Sequence, residues 1–133
     1  MKIIIGILGL FIFFEGILLY QKKPLEQSIT DGKEVYHDFC IQCHLDTGMG
    51  VSGVFPPLAK SDYLANNVDL SIRALKYGMS GPIIVNGEEY NGVMQEQGLD
   101  DVEIADVMNY ILNNWGNESK KMITEEKVAS INK

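Results

Sequence analysis

Hydrophobic residues fill the beginning of the chain almost without interruption, whereas farther along they recur at helical or strand spacing. Ile3 to Tyr20 is a run of eighteen residues with one charge, Glu15, and it lies between Lys2 and the pair Lys22-Lys23. Eighteen apolar residues in a helix are about enough to cross the hydrocarbon core of a bilayer. The pattern therefore predicts a transmembrane helix at residues 3–20.

The end of this apolar segment bears on whether it is removed. A cleavable export signal ends in small residues, whereas here Leu19 and Tyr20 lead into Gln21 and two lysines. Residues 1–23 are therefore predicted to be a membrane anchor, with an export signal as the alternative.

A helical pattern follows the apolar head. Residues 24–30 are predicted to be a linker that lets the next domain swing. Asp31 with Glu34 fits an N-cap and its third-residue carboxylate, and apolar residues then follow at helical spacing up to Cys43. A first helix is expected from about Asp31 to Gln42.

Glycine and proline divide the middle of the chain into loops and short elements. Residues 45–57 have no periodicity and are predicted to form a loop. Short helices are expected at about 62–65 and at 69–77, where Gly78 would end the second. Residues 83–90 place Asn86-Gly87, the pair favoured in type I′ turns, between two short runs typical of a hairpin.

The last apolar stripe is the clearest in the chain. Asp100 with Glu103 has the pattern of a capping box, and one helical face then carries Ile104, Val107, Met108, Ile111, Leu112 and Trp115. We expect a helix that buries this face and ends near Gly116. Residues 117–133 are polar and are predicted to be a frayed tail.

Composition limits the chain to one small domain, predicted at residues 31–116. Beyond Lys23, 8 Lys and Arg stand against 17 Asp and Glu, so nucleic acid is not an expected partner. The domain is predicted to be mainly α, with three to four short helices and one hairpin. Because its long irregular connections enclose too little apolar core, a large apolar group is expected to complete it.

The run Cys40-Ile41-Gln42-Cys43-His44 can hold such a group. Two thiols three residues apart and the next imidazole leave the same side of a helix. This spacing allows two thioether bonds to one haem while His44 binds its iron. A zinc site lacks further ligands, a thioredoxin-like pair lacks a preceding strand, and a disulfide has poor geometry at this spacing. The sequence therefore predicts one covalent haem c.

The second axial ligand has to come from elsewhere in the chain, and methionine is the usual one in electron-transfer cytochromes. Met49 follows His44 too closely, and Met108 lies on the apolar stripe of the last helix. Met94, on the irregular segment after the hairpin, is the predicted ligand, with Met79 as the alternative.

Residues 31–116 resemble small class I c-type cytochromes, which have a helix ending in C-x-x-C-H, a loop reaching a proline, a methionine strap and an aromatic-bearing last helix. More narrowly, three runs are similar to monohaem domains found with copper nitrite reductases and sugar dehydrogenases: Gly53-Val54-Phe55-Pro56-Pro57-Leu58-Ala59, Tyr90-Asn91-Gly92-Val93-Met94 and Asn114-Trp115-Gly116-Asn117. The resemblance implies a cytochrome c fold around a haem, which would follow the transmembrane helix predicted from the apolar run.

The resemblance also implies contacts for individual residues. Pro56 would offer its carbonyl oxygen to the far nitrogen of His44 and so fix the imidazole ring. Gly32 and Phe39 would pack against the last helix near its aromatic residues.

A haem bound on both faces, by His44 and Met94, has no open position for a substrate. The expected function is therefore a one-electron carrier in a membrane-associated respiratory chain, not an enzyme, with redox proteins as partners and no small-molecule substrate. By resemblance, haem attachment occurs on the outer face of the bacterial cytoplasmic membrane. The domain is expected on that face, or free in the periplasm if the head is cleaved.

One departure from the family keeps other functions open. Gln95 stands where the family usually has a proline directly after the ligand methionine, so the strap is less constrained. A haem peroxidase or a gas-binding sensor with an open or labile sixth position is therefore an alternative. A fixed cytochrome subunit of a larger dehydrogenase or reductase is another.

An acidic stretch bears on the choice of redox partner. It has no Lys or Arg, contains Met94, and carries the carboxylates of Glu88, Glu89, Glu96, Asp100, Asp101, Glu103 and Asp106. Such charge near a haem edge would steer the domain toward partners with basic docking rims. The alternative is that the carboxylates at 100–103 serve the helix N-terminus.

Overall fold

The computed structural model describes residues 22–133 as a mainly helical domain. Its helices are α1 (Leu25–Phe39), α2 (Ile41–His44), α3 (Asp62–Asn66), α4 (Val68–Tyr77), α5 (Asp101–Ile111) and α6 (Glu125–Ala129). Its strands are β1 (Met79–Ser80), β2 (Ile83–Val85), β3 (Glu88–Tyr90) and β4 (Val93–Met94), which pair antiparallel as β1 with β4 and β2 with β3.

The predicted transmembrane helix at residues 3–20 lies outside the described residues. Between residues 22 and 133, no helix is long and apolar enough to cross a membrane.

Helix α1 begins at Leu25, so the prediction of a linker at residues 24–30 is wrong. Asp31, the predicted N-cap, lies in the middle of this helix. The early start has a tertiary cause: the hydroxyl of the fully buried Ser28 donates to the Asp106 carboxylate of α5 at 2.6 Å. A local capping pattern carries no information about such a contact.

Helices α1 and α5 pack backbone to backbone at Gly32. A Cβ atom at this position would lie 2.0 Å from the carbonyl oxygen of Asp106, so only glycine fits. Phe39, however, is 46% exposed, and the expectation that it packs on the last helix is wrong. Tyr36 occupies that place, with its ring centroid 5.4 Å from Tyr110 and 4.9 Å from Trp115.

Turns and helix starts with a local cause form as predicted, whereas α5 ends at Ile111, before the predicted end near Gly116, and Trp115 lies beyond it with φ of 51°. Helix α4 ends at Gly78 with φ of 74°. The hairpin β2–β3 turns at Asn86 and Gly87, where φ is 51° and 84°. Asp100 and Glu103 form both hydrogen bonds of a capping box at the start of α5.

Residues 117–133 are packed on the domain, so the prediction of a frayed tail is wrong. Val128 in α6 is fully buried and Ile123 is 4% exposed. The Asn109 side chain donates to the Ile123 carbonyl and accepts from its amide, each at 2.8 Å. Lys76 of α4 donates to the Val128 carbonyl at 2.9 Å. These contacts join the tail to the core formed by α1, α4 and α5.

Candidate functional site

The C-x-x-C-H residues lie where α1 ends and α2 begins. Cys40 joins the two helices, and its carbonyl accepts from the His44 amide at 2.9 Å. One helical turn therefore carries Cys40, Cys43 and His44, and the three side chains line one cavity of about 270 Å³. This is the convergence that the sequence spacing predicted.

The two cysteines form no disulfide and differ in burial. Cys40 is 6% exposed, whereas Cys43 is half-buried. Burial, and secondarily the neighbouring Cys43, raises the pKa of the Cys40 thiol to about 12. A thiol that stays protonated is a poor redox nucleophile. In addition, no group of three or more His, Cys, Asp and Glu suited to a metal ion occurs in the described part of the chain.

His44 is buried and held by the proline loop. Its Nδ1 atom lies 3.0 Å from the Pro56 carbonyl oxygen, the contact that the resemblance implied. Because a carbonyl can only accept, Nδ1 donates its proton and Nε2 keeps a lone pair. Burial lowers the pKa of His44, while the bond to Pro56 opposes this shift. A neutral imidazole with an available nitrogen is the form that binds a metal.

Glycines shape the loop that presents Pro56. Gly50 has φ of 60° and donates to the His44 carbonyl at 3.0 Å. A Cβ at Gly50 would lie 2.2 Å from the carbonyl oxygen of Phe55. Val51 and Phe55 form an isolated β-bridge, which folds the loop back on itself. This tight backbone places the Pro56 carbonyl against the imidazole.

Two methionines reach the same cavity. Met79 in β1 and Met94 in β4 are directly paired and both line it together with His44. Met49 is 59% exposed and does not line it, and Met108 is 1% exposed in the core. The predicted axial ligand Met94 and its alternative Met79 therefore both lie at the site. The pairing of two-residue strands gives no periodic signal in the sequence.

The cavity offers an apolar environment with an open rim. A second cavity of about 80 Å³ has several of the same lining residues and extends to Leu75 and Met108 in the core. At the rim, Phe39, Val54 and Val93 are 46%, 54% and 67% exposed. Two thiols, an imidazole with an available nitrogen and two methionine sulfurs around apolar space form a donor set that fits haem c.

The acidic stretch is only partly available for docking. Asp106 is 5% exposed and binds Lys23 and Ser28, and Asp101 forms an ion pair of 3.0 Å with Lys76. Within this stretch, the exposed carboxylates nearest in sequence to cavity-lining residues are those of Glu88, Glu89 and Glu96. Outside it, the exposed Asp38 lies next to Phe39.

Comparisons with known proteins agree with this site. The family model Cytochrome c matches residues 29–115. Cytochrome c-552 of Thermus thermophilus is 40% identical over 110 residues, which cover 76% of this chain and 83% of that protein. The gluconate 2-dehydrogenase cytochrome c subunit of Pantoea cypripedii is 34% identical, covering 77% of this chain and 24% of that protein. The alcohol dehydrogenase (quinone) cytochrome c subunit of Gluconobacter oxydans is 28% identical, covering 75% of this chain and 21% of that protein.

A mainly helical domain whose C-x-x-C-H residues share an apolar cavity with methionines defines a class I monohaem c-type cytochrome. This chain belongs to the cytochrome c family. Its domain is an electron-transfer domain, and its cofactor is one covalently attached haem c.

Proposed function

We propose that this protein is a one-electron carrier whose haem c is bound through thioethers to Cys40 and Cys43. His44 and Met94 are its axial ligands and make the iron low-spin. The observation that carries the proposal is the placement of all four side chains on a single cavity.

Each part of the site has a role in electron transfer. The carbonyl of Pro56 orients the His44 ring and increases the basicity of its free nitrogen. The apolar lining excludes water and, with a methionine ligand, raises the reduction potential. The bound haem c supplies the one-electron couple, and its two protein ligands leave no position for a substrate.

The closed sixth position is tested by two spectra of the holoprotein. We expect the oxidised protein to show the weak near-infrared band of a sulfur-to-iron bond, and the reduced protein to bind carbon monoxide slowly. Absence of the band together with rapid carbon monoxide binding would instead favour the peroxidase or gas-sensor alternative, which the replacement of proline by Gln95 keeps open.

A second candidate is a fixed cytochrome subunit of a dehydrogenase. It is favoured by the relatives named as cytochrome c subunits of gluconate and alcohol dehydrogenases, although this chain covers only 24% and 21% of them. Purification from solubilised membranes distinguishes the two: a carrier is expected to purify alone, whereas a fixed subunit purifies with a larger flavin- or quinone-containing protein.

We further propose that residues 1–23 anchor the domain to the outer face of the bacterial cytoplasmic membrane, within a respiratory chain. The domain begins directly after this segment, since α1 starts at Leu25 and Lys23 is bonded to Asp106. Fractionation tests the anchor: the full chain is expected to stay in membranes after a carbonate wash, whereas a cleaved chain would be found in the periplasm.

The redox partner is proposed to have an apolar surface patch surrounded by basic residues. The exposed side chains of Phe39, Val54 and Val93 at the cavity rim match the first feature. The exposed carboxylates of Glu89 and Glu96 match the second. Apolar contact at the rim would bring the haem edge close to the partner, while the charges increase the association rate.

A further inference from the structure

The strands β1 and β4 place two methionine side chains on the same face. Met79 lies directly opposite Met94, and Ser80 lies opposite Val93. Directly opposed residues of an antiparallel pair project to the same side of the sheet, with Cβ atoms about 4.5–5.5 Å apart. The opposed pair Ser80 and Val93 is exposed. Both methionines line both cavities, whereas Val93 lines only the larger one and Ser80 lines neither, so the methionine side of this small sheet is its cavity side.

Met79 and Met94 both line the space proposed for the haem. Both are half-buried, and both line the larger cavity and the smaller one, each of which also includes His44. An ordinary packing residue at Met79 could be any aliphatic side chain, since methionine packs as a flexible apolar group. A sulfur at this place is a second soft donor beside the first.

We propose that Met79 is a second axial ligand for the same iron position and takes it when the bond to Met94 is lost. The proposal rests on the proposed function, in which His44 and Met94 bind the iron. The exchange breaks one sulfur-to-iron bond and forms another, and it transfers neither a proton nor an electron. The iron thus stays closed to external ligands without Met94.

The backbone around both methionines allows this exchange. Gly81 follows β1 with φ of 95°, and a Cβ there would meet nothing within 4 Å. Gly78, before β1, lies against the strap instead, since a Cβ there would lie 2.9 Å from the Met94 carbonyl oxygen. Glycine at position 81 therefore leaves the Met79 segment room to adjust at its far end. After Met94, Gln95 leaves φ unrestricted, as a proline would not. The Met94 strap can therefore move away while β1 supplies the replacement.

The test compares leucine variants of the holoprotein, because leucine conserves the volume of methionine and removes the sulfur. Met94→Leu is expected to keep a near-infrared sulfur-to-iron band, whereas Met79→Leu/Met94→Leu is expected to lose it. Carbon monoxide should bind reduced Met94→Leu about tenfold more slowly than the double variant, since only the fraction with an open position reacts. Met49→Leu/Met94→Leu is the matched control and should behave like Met94→Leu.

Nuclear magnetic resonance of reduced protein with labelled methionine methyl groups identifies the bound sulfur directly. A ligand methyl is shifted far upfield by the haem ring current. Met94→Leu should show one such methyl, and the signal should be absent from Met79→Leu/Met94→Leu. Loss of the signal and rapid carbon monoxide binding in Met94→Leu itself would refute a role for Met79. Retention of the signal in the double variant would refute it as well, because another residue would then be the ligand.

If Met94→Leu does not fold, the proposal can still be tested in variants that retain Met94. Cyanide binds the oxidised iron only after the methionine has left, so a second sulfur that rebinds should slow the reaction. Met79→Leu is expected to bind cyanide several-fold faster than the wild type and Met49→Leu, and equal rates would contradict the proposal. Absence of the near-infrared band from the wild type would instead contradict the proposed function, as would its loss in Met79→Leu with Met94 intact.

Discussion

Lys23 and Asp106 form an ion pair of 2.7 Å that joins the start of the described chain to α5, 83 residues away. The Asp106 side chain is 8% exposed and also accepts from Ser28, while Lys23 makes a second ion pair of 2.7 Å with Asp31. Burial lowers the pKa of Lys23, but the hydrogen bonds to Asp106 and Asp31 outweigh it and leave this pKa raised. Lys23, directly before α1, is therefore fixed to the domain.

Replacing the buried partner of Lys23 should destabilise the domain. Asp106→Ala leaves the fully buried Ser28 hydroxyl without its acceptor and removes the buried ion pair. We expect the free energy of unfolding to fall by about 2 kcal/mol. Guanidinium unfolding of the holoprotein, followed by circular dichroism, measures the change.

Asp31→Ala is the matched control, because it removes the more exposed partner of the same lysine, with 36% of its side chain exposed against 8% for Asp106. Its effect should be much smaller, since exposed ion pairs contribute little. Hydrogen bonds from Lys23 and Gln27 lower the pKa of Asp31. The contribution of Asp31 is therefore present at neutral pH and is lost as the pH falls through this lowered pKa. Equal losses in the two variants would contradict the importance that we assign to burial.

Gly32→Ala tests the contact between α1 and α5. In an exposed helix this change stabilises, since alanine is the better helix former. Here the added methyl would lie 2.0 Å from the Asp106 carbonyl oxygen, so we expect a loss on the order of 3 kcal/mol or more. Thermal unfolding measures it, with the exposed Lys33→Ala in the same helix as the control. A Gly32→Ala variant as stable as the wild type would show that the helices can separate without cost.

Because the tail is packed on the domain, we expect two valine substitutions to differ in their effect on stability. Val128→Ala in α6 removes apolar volume from a fully buried position and should cost about 2 kcal/mol. Val102→Ala in α5, where the valine is 37% exposed, should cost less than about 1 kcal/mol. Denaturant unfolding of both variants distinguishes a packed tail from a frayed one, for which Val128→Ala would be neutral.

Elements with a local cause were predictable from sequence, and elements with a tertiary cause were not. The capping box of Asp100 with Glu103 and the Asn86-Gly87 turn each depend on residues close in the chain. The start of α1 depends on Ser28 meeting α5, and the packing of the tail depends on Asn109 holding Ile123. These partners are far apart in the sequence, so no local pattern indicates them.

The site shows the same division. The spacing of C-x-x-C-H places its side chains on one turn without any help from tertiary structure. Phe39 was expected against the last helix, but Tyr36 lies there, because the Tyr36 hydroxyl donates to the Leu45 carbonyl at 2.6 Å and fixes that ring inside. The cavity then receives Phe39 at its rim, where a ring without a polar group can remain half-exposed.

Substitution of the two cysteines tests how the haem is attached. The chain has no cysteines other than Cys40 and Cys43. Cys40→Ser and Cys43→Ser should each keep haem on a denaturing gel through one thioether and shift the α-band of the pyridine adduct. The double variant should release haem into acidic butanone. Extraction of haem from the wild type under the same conditions would contradict attachment through these residues.

Charge near the cavity should control the rate of reaction with a cationic oxidant. Glu89 and Glu96 are exposed and adjacent in sequence to cavity-lining residues, and the chain carries a net charge of −7. Oxidation of the reduced protein by tris(phenanthroline)cobalt(III) should slow as salt rises, because screening weakens the attraction. Glu89→Gln/Glu96→Gln should slow it at low salt by about three- to tenfold.

The control variant changes the net charge by the same amount, but at positions away from the cavity. Glu26 lies at the opposite end of α1 from the C-x-x-C-H residues, and Glu118 lies in the tail. Glu26→Gln/Glu118→Gln should therefore slow the oxidation less, because attraction at the haem edge depends on the charges nearest to it. If both double variants react equally slowly, only net charge steers the oxidant, and Glu89 and Glu96 do not form a docking surface.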